Sequence, residues 1–199
     1  MAVRIRKRLP LKVCLTGGPE AGKTSACQVL VRQFGKSLSV IPESASLLYG
    51  GGLARARNGR EMRIVQDIIY QVQVRAEDLG GLRAGQGVKV LVCDRGTFDG
   101  FAHWPATCEN FLSSLKTTLR QEFGRYDVVI HMESARKDEG YELSNLSRTE
   151  SDREAHMLDK KIRRAWNAHP RHHFVSNRES FLEKAREVVA IVKKELSSQ

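Results

Sequence analysis

Short runs of apolar residues alternate along the chain with longer stretches in which apolar residues recur every three or four positions. The longer stretches have the period of amphipathic helices, whereas the short runs are typical of β-strands. Strands that alternate with helices form a parallel sheet covered by helices on both faces. The pattern predicts an α/β fold, a three-layer sandwich around a five-stranded, mostly parallel sheet. The predicted strands are Lys12–Thr16, Leu38–Ile41, Val88–Cys93, Val128–Met132 and Phe174–Ser176.

One predicted helix, over residues 60–80, has an unusually wide apolar face and is expected in the core. This face consists of Ile64, Val65, Ile68, Ile69 and Val72. The polar residues of the helix are expected mostly at the surface, with one or two lining a ligand pocket. They are Arg63, Gln66, Gln71, Gln73 and Glu77.

The first strand leads directly into a glycine-rich loop. Residues 17–24 read Gly-Gly-Pro-Glu-Ala-Gly-Lys-Thr, the G-x-x-x-x-G-K-T pattern of a phosphate-binding loop, and a helical apolar stripe follows. The backbone N–H groups of such a loop point at phosphate oxygens, and the next helix directs its positive end to the same anion. A turn that binds nothing is the alternative, which the regular flanking elements disfavour. We predict ATP or GTP binding by Gly17, Gly18, Pro19, Glu20, Ala21, Gly22, Lys23, Thr24 and Ser25.

A magnesium ion is expected to accompany the nucleotide. Lys23 would reach the β- and γ-phosphates, and Thr24 would offer its hydroxyl to Mg²⁺. Asp94 ends an apolar strand, the position from which these enzymes hold Mg²⁺ through a water or orient a reacting group. An acid at this position can also be a cap or turn residue, but the phosphate loop in the same sheet favours the metal role. The predicted metal site is therefore Thr24 and Asp94.

Polar residues at the carboxyl ends of the other strands are candidates for chemistry, because ligands bind at that edge of a parallel sheet. Arg95 would neutralise charge on the transferred phosphate, and Asp99 is a possible cap or substrate contact. Glu43 is predicted to be a general base or an anchor for a substrate hydroxyl. Its alternative role is an exposed acid stabilised by the dipole of the short helix that follows. Asn177, after the last strand, would border the nucleotide base.

Residues 134–153 lose apolar periodicity and are rich in charge and serine, which predicts a mobile flap. Arg148, Arg153 and Arg136 are candidates to close over the phosphates, with Arg148 assigned to catalysis. An ordinary solvated loop is the alternative. His169, His172 and His173 cluster in sequence, but no cysteine or carboxylate spacing accompanies them, so a metal site there is not expected.

Length and charge limit the remaining possibilities. The 199 residues are expected to form one domain over 11–199, preceded by a basic arm over 1–10 that contains Arg4, Arg6, Lys7 and Arg8. The net charge of +10 is uneven and concentrated in part in this arm, which is either a solvated tail or a site for a partner such as a protein or an anionic lipid. The lack of a nucleic-acid motif disfavours nucleic acid. No secretory signal or apolar stretch near eighteen residues is present, so a cytoplasmic protein with no transmembrane segment is expected. Four cysteines without a C-x-x-C pair are expected to be reduced, mostly buried thiols.

Several motifs in combination resemble a known family. They are the phosphate loop, Pro42-Glu43, Asp94-Arg95-Gly96 with Asp99, and Ala165-Trp166-x-x-His169-Pro170 followed by Asn177. Together they resemble the AAA-type P-loop domain shared by nicotinamide riboside kinase-like (NadR/Ttd14-like) proteins, over nearly the whole chain. The resemblance implies a P-loop NTPase/kinase-like fold and a nucleotide-binding domain close to small-molecule kinases. It also implies that Glu43 and Asp94-Arg95 lie at the acceptor-site positions of nucleoside-type kinases.

The expected function is that of an ATP-dependent kinase acting on a small, hydroxyl-bearing, nucleoside-like acceptor, with Mg²⁺ and ATP or GTP bound. Glu43 would be the base, while Lys23 and Arg95 would neutralise developing charge. The alternative is a nucleotide-binding regulatory module or slow NTPase switch, in which the nucleotide changes the flap and the basic arm engages a protein or anionic lipid. A kinase should consume ATP faster with its acceptor present, whereas a switch should bind a protein or lipid differently with the nucleoside triphosphate and the diphosphate.

Overall fold

Five parallel strands form the centre of the structure, a computed structural model that describes residues 9–84, 87–135 and 152–198. They lie in the order β2-β3-β1-β4-β5. This arrangement confirms the predicted α/β fold, and two strands have the predicted bounds. The strands are β1 (Leu11–Thr16), β2 (Leu38–Ile41), β3 (Val90–Asp94), β4 (Val128–Met132) and β5 (His172–Val175).

The predicted bounds of the other three strands were wrong by one or two residues. Pairing decides the ends: Leu11 joins β1 opposite Val90, and His172 joins β5 opposite Val129. Val88, predicted to begin β3, lies before that strand. Each of these ends depends on a distant partner, which the local pattern of the chain does not contain.

Seven α-helices surround the sheet within the described residues. They are α1 (Lys23–Phe34), α2 (Ser44–Gly50), α3 (Gly59–Arg83), α4 (Cys108–Ser114), α5 (Leu119–Gly124), α6 (Asp152–Trp166) and α7 (Phe181–Ser197). Short 3₁₀ helices cover Gly35–Ser37 and Thr97–His103. None of the helices in 9–84, 87–135 and 152–198 is long and apolar enough to cross a membrane.

Two apolar clusters fill the two faces of the sheet. Alternate residues of β1 divide between them, because successive side chains of a strand point to opposite faces. Val13 and Leu15 pack with residues of α1 and α7, whereas Cys14 packs with residues of α3 and α6. Cys14, Cys27 and Cys93 are buried free thiols, and burial raises the pKa of each. They are therefore protonated and unreactive at neutral pH.

The predicted division of α3 into an apolar core face and a polar surface was partly wrong. Ile64 is 56% exposed, whereas Gln66, Gln73 and Glu77 are buried. The Glu77 carboxylate accepts hydrogen bonds from Gln73 and from three side chains of other elements: Lys12, Arg125 and Tyr126. This saturation explains why a carboxylate can be buried there.

The predicted flap and arm fall largely outside the described residues. Arg136 and Arg148 lie outside them, as do Arg4, Arg6, Lys7 and Arg8. At the end of the predicted flap, Asp152 and Arg153 already belong to α6, so the assignment of a loop was wrong for these two residues. The Arg153 side chain is exposed.

Candidate functional site

The phosphate loop occupies the turn between β1 and α1, at the carboxyl edge of the sheet. Gly17 has φ 139°, and a Cβ placed on it would lie 2.1 Å from the carbonyl oxygen of Met132 on β4. No other residue type fits there, since both the backbone conformation and the space require glycine. Helix α1 begins at Lys23, directly after Gly22. The N-terminus of α1 therefore opens into the loop, as an anion site requires.

Lys23 folds back onto the loop. Its Nζ donates to the carbonyl oxygens of Gly17 at 2.9 Å and Gly18 at 2.7 Å. Burial lowers the pKa of Lys23 to about 7, and the nearby Arg95 guanidinium acts in the same direction. A bound phosphate would restore the charge of this amine, because an anion favours the protonated form.

The other predicted loop residues have different surroundings. Pro19 lines a cavity beside the loop, and Ala21 is buried. Glu20 has φ 60°, and its carbonyl oxygen accepts from the N–H of Ala135 at 3.4 Å. Ser25 is exposed in the first turn of α1.

Thr24, the last residue of the loop, contacts Asp94 at the end of β3. The Thr24 hydroxyl donates to Asp94 Oδ2 at 2.8 Å. Asp94 Oδ1 is buried and has no hydrogen-bond partner among the described residues, and burial raises the pKa of this carboxyl group. Buried carboxylate oxygens are normally paired with protein, ordered water or an ion, so Oδ1 is available to an ion or a water-bridged ligand.

A hydroxyl oxygen and such a carboxylate oxygen fit Mg²⁺, which takes one or two protein oxygens and completes its shell with water and phosphate. In the described parts of the chain, no group of three or more His, Cys, Asp or Glu is arranged to hold a metal ion by itself. Any magnesium here therefore depends on the nucleotide for further ligands.

Arg95 joins the two candidate acids of the acceptor side. Its Nε donates to Glu43, its Nη1 donates to the Gly17 carbonyl oxygen at 3.1 Å, and Nη1 lies 3.6 Å from Asp99 Oδ2. The Arg95 backbone has φ 81°, an uncommon conformation for a residue with a side chain. Such strain at the end of a strand is typical of functional sites. Neutralisation by Arg95 explains how two carboxylates lie close together in this partly buried region.

Glu43 precedes α2 and also accepts from the Ser46 hydroxyl at 2.7 Å. Burial acts to raise the pKa of Glu43, but Arg95 and the Ser46 hydroxyl outweigh it, so the pKa is lowered. The carboxylate is ionised at neutral pH and can accept a hydrogen bond from an incoming hydroxyl. Asp99 is held by fold contacts, because it accepts from the Thr16 hydroxyl at 2.7 Å and from Trp166 Nε1 at 2.6 Å.

A cavity of about 350 Å³ opens beside the loop and contains this cluster on its wall. Gln66 and Gln73 of α3 line it, which fulfils the expectation that one or two polar residues of that helix face a pocket. Its apolar lining includes Met62, Ile69 and Leu158. The cavity is large enough for a small molecule.

Arg55 and His103 are further basic side chains of the cavity wall. Arg55 lies 4.6 Å from the centre of the Tyr49 ring, and both residues line the wall. Burial, with a contribution from Arg95, lowers the pKa of His103 to about 4, so this imidazole is neutral at the wall.

Asn177 is engaged in contacts within the fold. Its amide nitrogen donates to the Ser134 carbonyl oxygen at 2.9 Å, and its amide oxygen accepts from Lys184 Nζ at 3.0 Å. It lies after β5, at the same edge of the sheet as the loop. Of the clustered histidines, His169 is bonded to the carbonyl oxygen of Tyr126, and His173 pairs with Glu195.

Sequence reasoning missed two residues of this region. Asp159 contacts the backbone of Gly18, and Trp166 holds Asp99. Both lie on α6, far along the chain from the residues they contact. In the sequence, Trp166 is only part of a motif that carries the family resemblance, with no role assigned to it, and Asp159 belongs to no motif. The strong amphipathic period of α6 predicts that Asp159 is buried, and an acid on a buried face was the available signal.

The comparisons with known proteins agree with this geometry at the level of the family. No curated protein matches the chain. A family model described as an AAA domain matches residues 12–184, from the second residue of β1 to the first turn of α7. The match covers the phosphate loop, the cluster of Glu43, Arg95 and Asp99, and the cavity. The chain therefore belongs to the AAA domain family, whose members are P-loop NTPase-like domains.

Proposed function

We propose that this protein is a kinase that transfers the γ-phosphoryl group of a magnesium nucleotide, ATP in the first instance, to a hydroxyl of a small acceptor. One observation carries the proposal: the cavity of about 350 Å³ lies directly beside the phosphate loop, with Glu43 and Arg95 on the shared wall. A site that only hydrolyses nucleotide needs water at this position. A cavity of this size instead suits a second substrate.

The charges on the wall favour a neutral acceptor. Glu43 and Asp99 balance the two guanidinium groups of Arg55 and Arg95, and His103 is uncharged. The apolar and aromatic lining suits a flat organic group, while the carboxylate of Glu43 suits a hydroxyl. These features support an uncharged nucleoside-like acceptor. The resemblance to nicotinamide riboside kinase-like proteins also favours a nucleoside, although nicotinamide riboside itself carries a positively charged ring.

The reaction would break one bond and form another. The acceptor oxygen attacks the γ-phosphorus, the bond from that phosphorus to the β–γ bridging oxygen breaks, and the nucleoside diphosphate leaves. Glu43 orients the hydroxyl and takes its proton late, when the oxygen has become acidic, because its lowered pKa makes it a weak base. Lys23 and Arg95 neutralise charge on the phosphates. Thr24 and Asp94 would hold Mg²⁺, which neutralises the nucleotide charge when bound.

The four free cysteines support the further proposal that the protein acts in the cytoplasm, where thiols stay reduced. The alternative function, a regulatory nucleotide switch, depends on the basic arm and the flap, and most of both lies outside the described residues.

A screen of acceptors tests the proposal. Purified protein with Mg-ATP or Mg-GTP is incubated with ribonucleosides and other neutral hydroxyl compounds, and separately with the cationic nicotinamide riboside, and nucleoside diphosphate is measured. We expect at least one compound to raise its formation severalfold over the rate without acceptor. Nucleotide binding without stimulation by any compound, together with partner binding that depends on the bound nucleotide, would favour the switch instead.

A further inference from the structure

One buried carboxylate contacts the phosphate loop from a helix that is distant in sequence. Asp159 lies in the middle of α6 and is 4% exposed. Its Oδ1 accepts from the backbone N–H of Gly18 at 2.7 Å, and Nε2 of His131 on β4 lies 3.1 Å from the same oxygen. A single carboxylate oxygen thus joins the loop, the sheet and α6.

The contact leaves no free space between the loop and the helix. A Cβ placed on Gly18 would lie 2.7 Å from the Cβ of Asp159 and 2.4 Å from the Ser134 hydroxyl oxygen. Burial acts to raise the pKa of Asp159, but His131 and the Gly18 N–H outweigh it, so the pKa is lowered. The group is therefore ionised at neutral pH, and a charged acceptor makes a stronger hydrogen bond than a neutral one.

The carbonyl oxygens on either side of this N–H are held by another residue. Those of Gly17 and Gly18 both accept hydrogen bonds from Lys23 Nζ. Lys23 must leave these carbonyl oxygens in order to reach a phosphate. The bond from Gly18 to Asp159 does not involve Lys23, so it can hold the loop backbone when the amine moves to the nucleotide.

We propose that Asp159 is a positioning residue of the phosphate loop. Its carboxylate directs the Gly18 N–H toward α6, and this fixes the peptide orientation from which the loop continues around the phosphates. The inference rests on the proposed nucleotide-binding function. The same helix supplies Leu158 to the cavity wall and Trp166 to Asp99, so α6 holds the loop and the acceptor side in one arrangement.

The experiment compares nucleotide affinity in three variants by calorimetric titration with Mg-ATP and Mg-GTP. Asp159→Ala removes the acceptor and should weaken binding by about tenfold or more. Asp159→Asn keeps an acceptor oxygen and should stay within about threefold of the parent protein. The matched control is Glu195→Ala on α7. It also removes a carboxylate that pairs with a histidine, since Glu195 lies 2.8 Å from Nε2 of His173. It should lower the Tm and leave the affinity unchanged.

The outcomes separate this inference from the proposed function. If Asp159→Ala binds nucleotide as tightly as the parent and only its Tm falls, as in the control, the inference is wrong and the function stands. Equal losses in Asp159→Ala and Asp159→Asn would also overturn it. A parent protein that binds neither nucleotide would overturn both.

A measurement on the parent protein alone covers the case in which Asp159→Ala does not fold. Amide hydrogen exchange followed by NMR should show Gly18 protected both without nucleotide and with saturating Mg-ATP. If the Gly18 amide exchanges in the complex as fast as that of the exposed Gly87, the proposed role is excluded.

Discussion

The substitution Lys23→Met tests the phosphate loop with little change in shape. In the unliganded protein it removes two hydrogen bonds to loop carbonyl oxygens, each worth about 1 kcal/mol net, but it also removes the cost of burying an amine. These effects oppose each other, so the unliganded Tm should change little. The nucleotide, in contrast, loses a charge-assisted contact to its phosphates.

The expected shifts in Tm follow from mass action. A nucleotide at about 100 times its Kd stabilises the parent by about 2.7 kcal/mol. If the lost contact weakens binding about 100-fold, the same concentration stabilises the variant by about 0.4 kcal/mol. At roughly 2–4 °C per kcal/mol for a chain of this size, the rise in Tm falls from about 5–11 °C to about 1–2 °C. Differential scanning fluorimetry measures both values.

The pH dependence gives a second readout of the same residue. Because the pKa of Lys23 in the folded protein is about 7, the amine of the unliganded protein loses its proton above pH 7. Nucleotide binding must then take up a proton, so the affinity should fall by up to about tenfold per pH unit above 7. The unfolded chain, with a lysine pKa of about 10.4, holds more protons in this window. Unliganded stability should therefore rise with pH between 7 and 10, and Lys23→Met should remove both dependences. If Lys23→Met keeps the full nucleotide-induced rise in Tm, the role assigned to Lys23 at the phosphates is wrong.

Three further predictions concern buried or paired carboxylates. Asp94→Asn should raise the Mg²⁺ concentration needed for half-maximal activity by about 10–100-fold, measured by titrating Mg²⁺ at fixed nucleotide; an unchanged requirement would remove Asp94 from the metal site. Glu43→Gln should lower acceptor-dependent transfer by at least about 100-fold while nucleotide affinity survives. Glu187→Gln, which disrupts an exposed pair with Arg178, is its control and should keep full activity. Glu77→Gln should lower the free energy of unfolding by about 2–3 kcal/mol, measured by urea denaturation, since it removes the carboxylate that pairs with Lys12 and leaves Arg125 only its more distant pair with the half-exposed Asp78; an unchanged stability would contradict the role of this buried network.

The residues that the sequence identified are those whose position follows from local pattern and sheet topology. The loop over 17–24 is read from its own eight residues. Glu43 and Arg95 follow β2 and β3, which are neighbours in the sheet, and side chains at the carboxyl ends of neighbouring parallel strands meet. The same rule brings Asp94 to the first turn of α1.

The contacts that could not be predicted join segments distant in the chain through side chains alone. Asp159 and Gly18 are 141 residues apart, and Trp166 and Asp99 are 67 apart. No periodicity specifies such pairs. The prediction of surface positions for Gln73 and Glu77 was wrong because polar residues are usually exposed, and only the donors on other elements reveal that these two can be satisfied inside. Outside the described residues, Arg148 remains a prediction.

The most direct test of the central claim follows the γ-phosphate itself. The protein is incubated with Mg²⁺, γ-labelled ATP and the acceptor identified by the screen, and the products are separated and counted. Our account predicts that the label moves to the organic acceptor in proportion to the ADP formed, and that Lys23→Met abolishes the transfer. Label found only in inorganic phosphate, at a rate that the acceptor does not change, would show a nucleotide hydrolase and contradict the account.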